Sequence, residues 1–84
     1  MRALTHQKEA IIIASNLIRI RNKQGLTKEQ VAKKAGISLD SYSKYESGKS
    51  TVSIQTLVKL AYGLNEVAVD ELLFGMHQEM LATE

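Results

Sequence analysis

The chain has 84 residues, of which 44% are hydrophobic, and it contains neither cysteine nor proline. A chain of this length buries only about 60–65% of its unfolded surface, which predicts one small domain spanning residues 1–84. The lack of cysteine excludes disulfides and thiolate metal sites. No apolar run approaches the roughly 20 residues of a membrane span, so we expect a cytoplasmic protein without a membrane partner.

The net charge is only +2, but the charges are unevenly distributed along the chain. Residues 1–51 carry ten lysines and arginines against four acids, a net charge of +6, whereas residues 52–84 carry one lysine against five acids, a net charge of −4. The basic half provides a surface suited to a polyanion such as nucleic acid. Solvated surface charge is the alternative interpretation of the same pattern.

Apolar spacing and capping residues predict five helices, and no stretch alternates at the period of two that a β-strand requires. Helix 1 is predicted from about Thr5, as its N-cap, to Gln24, with Gly25 as the left-handed residue after its end. Helix 2 is predicted after Thr27, whose hydroxyl forms a capping box with Gln30. The predicted buried residues of these two helices are Ala10, Ile13, Leu17, Ile20, Val31, Ala32 and Ala35.

Glycines and serines mark the ends of the remaining predicted helices. Helix 2 ends at Gly36, and helix 3 follows the N-cap Ser38 and stops at Gly48. Helix 4 begins after the N-cap Ser53, and helix 5 covers about residues 67–80. The residues predicted to face inward are Ile54, Leu57, Val58, Ala61 and Leu64 on helix 4 and Val69, Leu72, Leu73, Met76 and Met80 on helix 5.

Helix 3 carries a polar face that suits contact with DNA. Tyr42 and Tyr45 are three positions apart and, with Ile37, can face the core. The residues left on or near the outer side are Leu39, Asp40, Ser41, Ser43 and Lys44. Short side chains let a helix enter the major groove, where hydroxyl, ammonium and carboxylate groups hydrogen-bond base edges and apolar groups contact the thymine methyl.

Basic and hydroxyl groups on both sides of helix 3 suit contact with the phosphate backbone. Lys28 adds its charge to the N-terminus of helix 2, where free backbone N–H groups favour phosphate. Lys49 and Ser50 follow Gly48 in a loop that could hold the next phosphate. Ser38 is first a helix cap, and any contact that it makes with DNA is secondary. Two short helices joined by a tight glycine turn, with this polar face, have the layout of a helix-turn-helix.

Seven spaced segments between about residues 14 and 73 carry a family resemblance. They are Leu17-Ile18-Arg19-Ile20-Arg21, Gly25-Leu26-Thr27, Glu29-Gln30-Val31-Ala32, Ala35-Gly36-Ile37-Ser38, Tyr45-Glu46-x-Gly48-Lys49, Ser53-Ile54-x-Thr56-Leu57 and Val69-Asp70-Glu71-Leu72-Leu73. In this order and spacing they resemble the Cro/Xre-type helix-turn-helix family, which includes lambda-like phage repressors, restriction-modification controller proteins and many bacterial repressors. A fit over roughly 60 residues is far more specific than a single short motif.

The resemblance implies an all-α, lambda-repressor-like bundle of five helices that binds operator DNA as a two-fold dimer, with helix 3 of the helix-turn-helix in the groove. It also implies that the last arginine of helix 1 and the glutamate that ends helix 3, here Arg21 and Glu46, form a partly buried structural ion pair. Three features depart from the family's pattern. Lys28 replaces the glutamine that usually opens helix 2, Val52 replaces a common proline, and residues 65–68 form a longer connection without the common serine cap.

Helix 1 carries more apolar residues than one helix face can bury. Ile11, Ile12 and Ile13 are consecutive and therefore point in three directions. Either the C-terminal segment folds back over them, or one isoleucine and part of helix 5 form a subunit interface. We favour the interface, because two-fold pairing adds the binding energies of two operator half-sites. The candidate interface residues are Ile12, Leu73, Phe74, Met76 and Met80.

Together these features predict a sequence-specific transcriptional regulator that binds double-stranded DNA, as a homodimeric repressor or autoregulator with a palindromic operator. An antitoxin-like module that binds a partner protein and also autoregulates its operon is the alternative. The sequence has no nucleophile motif, metal-ligand set or phosphate-binding glycine loop, and neither His6 nor His77 has ligand spacing around it. We therefore expect no enzyme activity, metal or cofactor.

Overall fold

The structure, a computed structural model, describes the backbone of residues 2–76 and the side chains of residues 8–76, and these residues form five α-helices. The helices are α1 (Arg2–Gln24), α2 (Lys28–Ala35), α3 (Leu39–Glu46), α4 (Ile54–Gly63) and α5 (Val69–Leu72). No β-strand occurs within residues 2–76. The predicted all-α architecture of five helices is confirmed.

Local hydrogen bonds define the start of α2 and the turn between α2 and α3. At the start of α2, the Thr27 hydroxyl accepts from the Gln30 N–H at 3.1 Å, and the Gln30 side chain accepts from the Thr27 N–H at 2.8 Å, as the predicted capping box requires. Gly36 ends α2 with φ +76°, a left-handed conformation that glycine adopts without steric cost. Ser38 Oγ then accepts from the Ser41 N–H at 3.0 Å and opens α3. The Gly36 turn and the Ser38 cap together set the direction in which α3 leaves α2.

One hydrophobic core joins all five helices. The largest side chains that are entirely buried are Leu17 of α1, Val31 of α2, Tyr42 of α3, Leu60 of α4, Leu64 directly after α4, and Leu72 of α5. The buried faces predicted for α1 and α2 are confirmed, since each of their seven residues is at most 6% exposed. Because these residues repeat at helical spacing, each helix presents one continuous apolar side to the others.

The buried face of α4 differs from the predicted one. Three of the five residues predicted to face inward are buried, but Ile54 is 80% exposed and Val58 is 55% exposed, so their inward placement is wrong. The core takes Leu60 instead, which completes a row at i, i+3, i+4 and i+7 from Leu57 to Leu64. Ile54 and Val58 lie on the next row of the helix, where no other helix of the described structure covers them.

α5 covers only Val69–Leu72, whereas the sequence predicts one continuous helix over about residues 67–80, of which residues 77–80 lie outside the described residues. α5 has four residues, and the turn that follows it contains Gly75 with φ +94°. Buried Asn16 accounts for where α5 ends, because its side-chain amide donates to the carbonyls of Leu72 at 2.8 Å and of Phe74 at 3.0 Å. Those carbonyls would otherwise accept hydrogen bonds from the next turn of a longer helix.

The predicted start of α1 is wrong, whereas the predicted inward side of α5 is largely confirmed for the residues that the structure describes. α1 begins at Arg2, so its predicted start at Thr5 is wrong. On α5 and the turn after it, Leu72 is buried, and three of its predicted neighbours are partly buried against the core: Val69, Leu73 and Met76. Met80 lies outside the described residues.

The connection between α4 and α5 lacks a serine cap and contains strained backbone. Asn65 and Glu66 have φ +64° and +62°, which costs a residue with a Cβ about 1 kcal/mol or more each. Ala68 opens α5 without a side-chain cap, as the sequence predicts. The Asn65 side chain offsets part of this cost, because its amide donates to Gln24 Oε1 at 2.9 Å and its oxygen accepts from Lys34 Nζ at 2.9 Å.

Gly63 determines how closely α4 can approach α2. A Cβ at this position would lie 2.7 Å from the Val31 carbonyl oxygen and 2.9 Å from Ala35 Cβ. Val31 and Ala35 are both residues of α2, and neither a carbonyl oxygen nor a Cβ can move without the backbone. A side chain at position 63 would therefore force α4 and α2 apart. Helix propensity alone favours alanine over glycine by up to about 1 kcal/mol, and would therefore make Gly63→Ala stabilising.

We expect Gly63→Ala to lower the free energy of unfolding by about 1–3 kcal/mol, measured by urea titration, because overpacking outweighs propensity here. Gln55→Ala, at an exposed position of the same helix, is the control and should change stability by less than about 0.5 kcal/mol. A Gly63→Ala protein as stable as the wild type would contradict the close approach of the two helices.

Candidate nucleic-acid interface

A largely buried cluster of three polar side chains holds the core-facing side of α3, with Tyr42 and Glu46 buried and Arg21 half-buried. Glu46, the last residue of α3, accepts from Arg21 Nε at 2.5 Å and from Arg21 Nη2 at 3.2 Å. It also accepts from the Tyr42 hydroxyl at 2.6 Å. A further Arg21 nitrogen donates to the Leu26 carbonyl at 3.0 Å, which ties α1 to the segment that leads into α2. The Arg21–Glu46 pair therefore joins α1 to α3, in the arrangement that the family resemblance implies.

Burial and hydrogen bonding stabilise the protonated forms of both donors in this cluster. Desolvation in the core raises the pKa of Tyr42 well above its ordinary value, and the hydrogen bond to Glu46 raises it further. The hydrogen bond to Glu46 likewise raises the pKa of Arg21. Both donors keep their protons at neutral pH, so all three hydrogen bonds to the Glu46 carboxyl group are available.

Above this cluster, the nine residues predicted to contact DNA are all accessible. Six of them are exposed: Lys28, Ser38, Leu39, Asp40, Lys44 and Lys49. Three are half-buried: Ser41, Ser43 and Ser50. We call these nine residues the recognition surface. The opposite side of α3 is anchored by Tyr42, which is entirely buried, and by the half-buried Tyr45.

The polar groups of α3 are held weakly enough to be available to a ligand. Lys44 Nζ lies 3.6 Å from Asp40 Oδ2, and both side chains are largely exposed. A solvent-exposed pair of this kind contributes only about 0.3–0.5 kcal/mol, so either group can take another partner at little cost. The Ser38 hydroxyl donates to Ser41 Oγ at 2.9 Å, a bond that is also exposed.

Two further segments flank α3 with groups suited to phosphate. Lys28 is the first residue of α2 and is exposed beside the N–H groups of the first helical turn. On the other side, Gly48 has φ +74° and packs against α1, since a Cβ there would lie 3.3 Å from Ile11 Cγ1. This contact fixes the start of the loop that carries Lys49 and Ser50.

The residues predicted for a subunit interface lie in different environments. Phe74 is 72% exposed, and the guanidinium of Arg19 lies 5.8 Å from its ring centroid. Leu73 and Met76 are half-buried against the core, Ile12 is half-buried, and Met80 falls outside the described residues. Of the three consecutive isoleucines, Ile11 is the most exposed, at 57%, and Ile13 is buried.

Sequence reasoning gave no role to Asn16 and placed Ile54 and Val58 in the core. The only signal for Asn16 was a polar residue inside the apolar face of helix 1, between Ile13 and Leu17. The signal that Ile54 and Val58 are exposed was the second apolar row of the same helix, which includes Leu60 and is the one that is buried. Within the described residues, no group of three or more potential ligand side chains could hold a metal ion. Over the same residues, no helix has the length and apolar character needed to cross a membrane.

A model of the helix-turn-helix family matches residues 17–72, which is more than half of the chain. The chain belongs to the Cro/Xre-type helix-turn-helix family. Members of this family are DNA-binding transcriptional regulators and not enzymes. The family resemblance of the seven sequence segments is therefore confirmed.

Relatives within the family include regulators from phages and bacteria. The cryptic phage CTXphi transcriptional repressor RstR from Vibrio cholerae is 43% identical over 60 residues, which cover 71% of this chain and 53% of that repressor. The SPbeta prophage-derived uncharacterized HTH-type transcriptional regulator YonR from Bacillus subtilis is 34% identical over 68 residues, covering 81% of this chain and 62% of YonR. The chain thus spans about half to two thirds of the length of these relatives.

A solved structure of similar fold is the restriction-modification controller protein C.AhdI from Aeromonas hydrophila. It superposes with a TM-score of 0.72 at 26% sequence identity, and the match covers 77% of this chain and 97% of the controller protein. The helix-turn-helix and the helices around it are therefore arranged as in a Cro/Xre-type controller protein.

The buried hydroxyl of Tyr42 predicts a specific dependence of stability on pH. A tyrosine in the unfolded chain loses its proton near pH 10, whereas the raised pKa of Tyr42 keeps that proton in the folded chain. Above about pH 10 the unfolded chain therefore binds fewer protons, and the stability of the wild type falls by about 1.4 kcal/mol per pH unit from this group. This contribution is fully present below about pH 10.

Tyr42→Phe removes the titrating group. We expect the stability advantage of the wild type over Tyr42→Phe to be constant from about pH 8 to 10 and to shrink above it, in urea titrations at each pH. Tyr62→Phe, at a tyrosine that is 52% exposed, is the control and should follow the wild type throughout. Parallel curves for the wild type and Tyr42→Phe would show that folding does not hold the Tyr42 proton.

Proposed function

We propose that the protein is a sequence-specific repressor or autoregulator that binds a palindromic operator in double-stranded DNA as a homodimer, with α3 in the major groove. One observation carries this proposal: the Arg21–Glu46 pair fixes the core-facing side of α3 to α1, while the polar side of α3 stays accessible. A recognition helix needs a fixed orientation and a free polar face together. Repression is the activity of the relative RstR.

The exposed side of α3 offers groups that can distinguish base pairs. Lys44 can donate to guanine O6 and N7, Asp40 can accept from cytosine N4, and Ser41 can donate or accept. Leu39 is 43% exposed and can contact the methyl group of thymine. Ser43 lies on the same helix at the edge of this surface. Because these side chains are short apart from Lys44, the backbone of α3 can approach the base edges closely.

Residues outside α3 supply contacts to phosphate. Lys28 and the first-turn N–H groups of α2 form one cationic site, and Lys49 with the Ser50 hydroxyl forms another beyond the end of α3. Ser38 is first the N-cap of α3, and it supports DNA binding mainly by fixing the start of that helix. Contacts to phosphate before and after α3 would fix its depth and register in the groove without selecting a sequence.

Lys49→Ala should weaken binding to every duplex by a similar factor. Loss of one phosphate contact releases one fewer counterion, so the slope of log Kd against log salt should fall by about one. Mobility-shift titrations at several salt concentrations measure both quantities. Lys23→Ala, which removes the same charge from the last turn of α1, is the control. An unchanged salt slope in Lys49→Ala would remove Lys49 from the phosphate contacts.

Ser41→Ala and Lys44→Ala should change the preferred operator rather than weaken binding uniformly. Each removes a group from the base-facing side of α3, and the loss of a good base contact costs about 1–3 kcal/mol at one position. Selection of bound sequences from a random duplex pool, followed by titration against single-base variants, measures the change. The wild type should select a palindromic consensus. Identical consensus sequences from all three proteins would show that the base-reading face is assigned wrongly.

A further inference from the structure

Asp40 is the single acidic residue of the recognition surface, whose other charged residues are lysines. It lies in the first turn of α3, and its side chain is 84% exposed. A carboxylate on a surface that meets phosphate repels DNA and weakens binding to every sequence. An acid in the first turn also stabilises its helix, so a role in DNA binding has to be separated experimentally from that effect.

Asp40 and Lys44 place a hydrogen-bond acceptor beside a donor on the outer side of α3. Lys44 Nζ lies 3.6 Å from Asp40 Oδ2, because the two residues are one helical turn apart. Within the described residues, neither charged group has another ion-pair or hydrogen-bond partner. An exposed pair of this kind is weak, so both groups can turn toward a ligand while they stay adjacent.

A cytosine–guanine pair presents the complementary groups in the major groove. Cytosine N4 carries one hydrogen that base pairing does not use, and guanine O6 and N7 are acceptors beside it. Because N4 also donates to O6 within the base pair, these two atoms lie about 2.9 Å apart. The Asp40 oxygen and the Lys44 nitrogen are 3.6 Å apart. Small movements of the two side chains therefore allow both of them to bond the same base pair.

An adenine–thymine pair fits the same two groups less well. Its donor, adenine N6, lies between two separated acceptors, adenine N7 and thymine O4, and the thymine methyl group lies beside O4. Lys44 could reach only one acceptor there, whereas guanine offers O6 and N7 together. Where no donor lies opposite Asp40, its carboxylate faces acceptors or stays unpaired in the groove, and both situations oppose binding.

We infer that Asp40 and Lys44 jointly read one cytosine–guanine pair in the operator half-site. Asp40 accepts from cytosine N4, and Lys44 donates to guanine O6 and N7. Asp40 is then a specificity-determining residue that acts chiefly by weakening binding to sequences without this pair. The inference rests on the proposed function, because it requires α3 to lie in the major groove, and it names a base pair that the operator contains.

Asp40→Ala tests the exclusion of other sequences. The base pair is identified as the operator position at which Lys44→Ala loses its preference, and each protein is titrated against the selected duplex and against the three replacements at that position. The wild type should favour the selected duplex about tenfold or more. Asp40→Ala should lose most of this ratio, because it binds the replaced duplexes more tightly than the wild type does.

Glu29→Ala is the matched control for the removal of an acid. Glu29 is an exposed acid in the first turn of α2, as Asp40 is in the first turn of α3. Its loss changes the net charge and the stability of one helix in the same way, and these effects act equally on all duplexes. Glu29→Ala should therefore keep the discrimination ratio of the wild type. Urea titration of each variant confirms that it is folded.

Methylation of the cytosine N4 atom tests the contact directly. N4-methylcytosine still pairs with guanine, but its methyl group replaces the hydrogen that faces the major groove. Methylation should weaken binding by the wild type about fivefold or more and should change binding by Asp40→Ala less than about twofold. In the same way, 7-deazaguanine lacks the N7 acceptor and should weaken binding by the wild type but not by Lys44→Ala. The same modified bases at a flanking cytosine–guanine pair are the controls.

Joint reading also predicts that the two substitutions are not additive. Asp40→Ala and Lys44→Ala should lose preference at the same base pair, and the double variant should discriminate no worse there than the weaker of the two single variants. Independent contacts would instead affect two different base pairs, and their losses would add.

Several outcomes would overturn the inference and leave the proposed function intact. These are an adenine–thymine pair at the position that Lys44→Ala affects, an unchanged ratio in Asp40→Ala, losses at two different base pairs, and equal effects of N4 methylation on the wild type and Asp40→Ala. In each of these cases the protein still selects a sequence through α3. A wild type that selects no consensus sequence from a random duplex pool would overturn the proposed function and this inference together.

Discussion

The orientation of α3 depends on the buried cluster of Arg21, Tyr42 and Glu46. A helix of eight residues is too short to be stable alone in water, so tertiary contacts must hold it. Tyr42 and Glu46 are four positions apart and lie on one side of α3. There the Glu46 carboxylate accepts hydrogen bonds from both the Tyr42 hydroxyl and Arg21 of α1. This network sets the rotation of α3 about its axis, and that rotation determines which side chains face outward.

A buried ionic cluster is a costly way to hold a helix, and its advantage here is geometric. Removing charges from water costs several kcal/mol, and the pair regains this only with good hydrogen bonds. An apolar contact would tolerate sliding and rotation of α3, whereas a bidentate Arg21–Glu46 pair with a third bond from Tyr42 allows one arrangement. For the base-reading role that we propose for α3, fixed rotation matters more than additional stability.

The elements that could be predicted from sequence are those encoded by neighbouring residues. The capping box of Thr27 and Gln30, the Gly36 turn and the Ser38 cap each involve bonds between residues three or four apart, so a short window contains the information. The end of α5 could not be predicted, because it depends on Asn16, which is 56 residues from Leu72. The accessible side of α3 was predictable because its tyrosines mark the opposite side.

The wrong prediction for α4 has a physical cause that also concerns its connection to α3. Apolar residues occupy nearly every side of this helix, so spacing alone cannot choose between the Leu57–Leu60–Leu64 row and the Ile54–Val58 row. The core covers only the first row. Gly63 holds α4 against α2, and the glycine turn holds α2 against α3, so α4 is rigidly connected to the recognition surface.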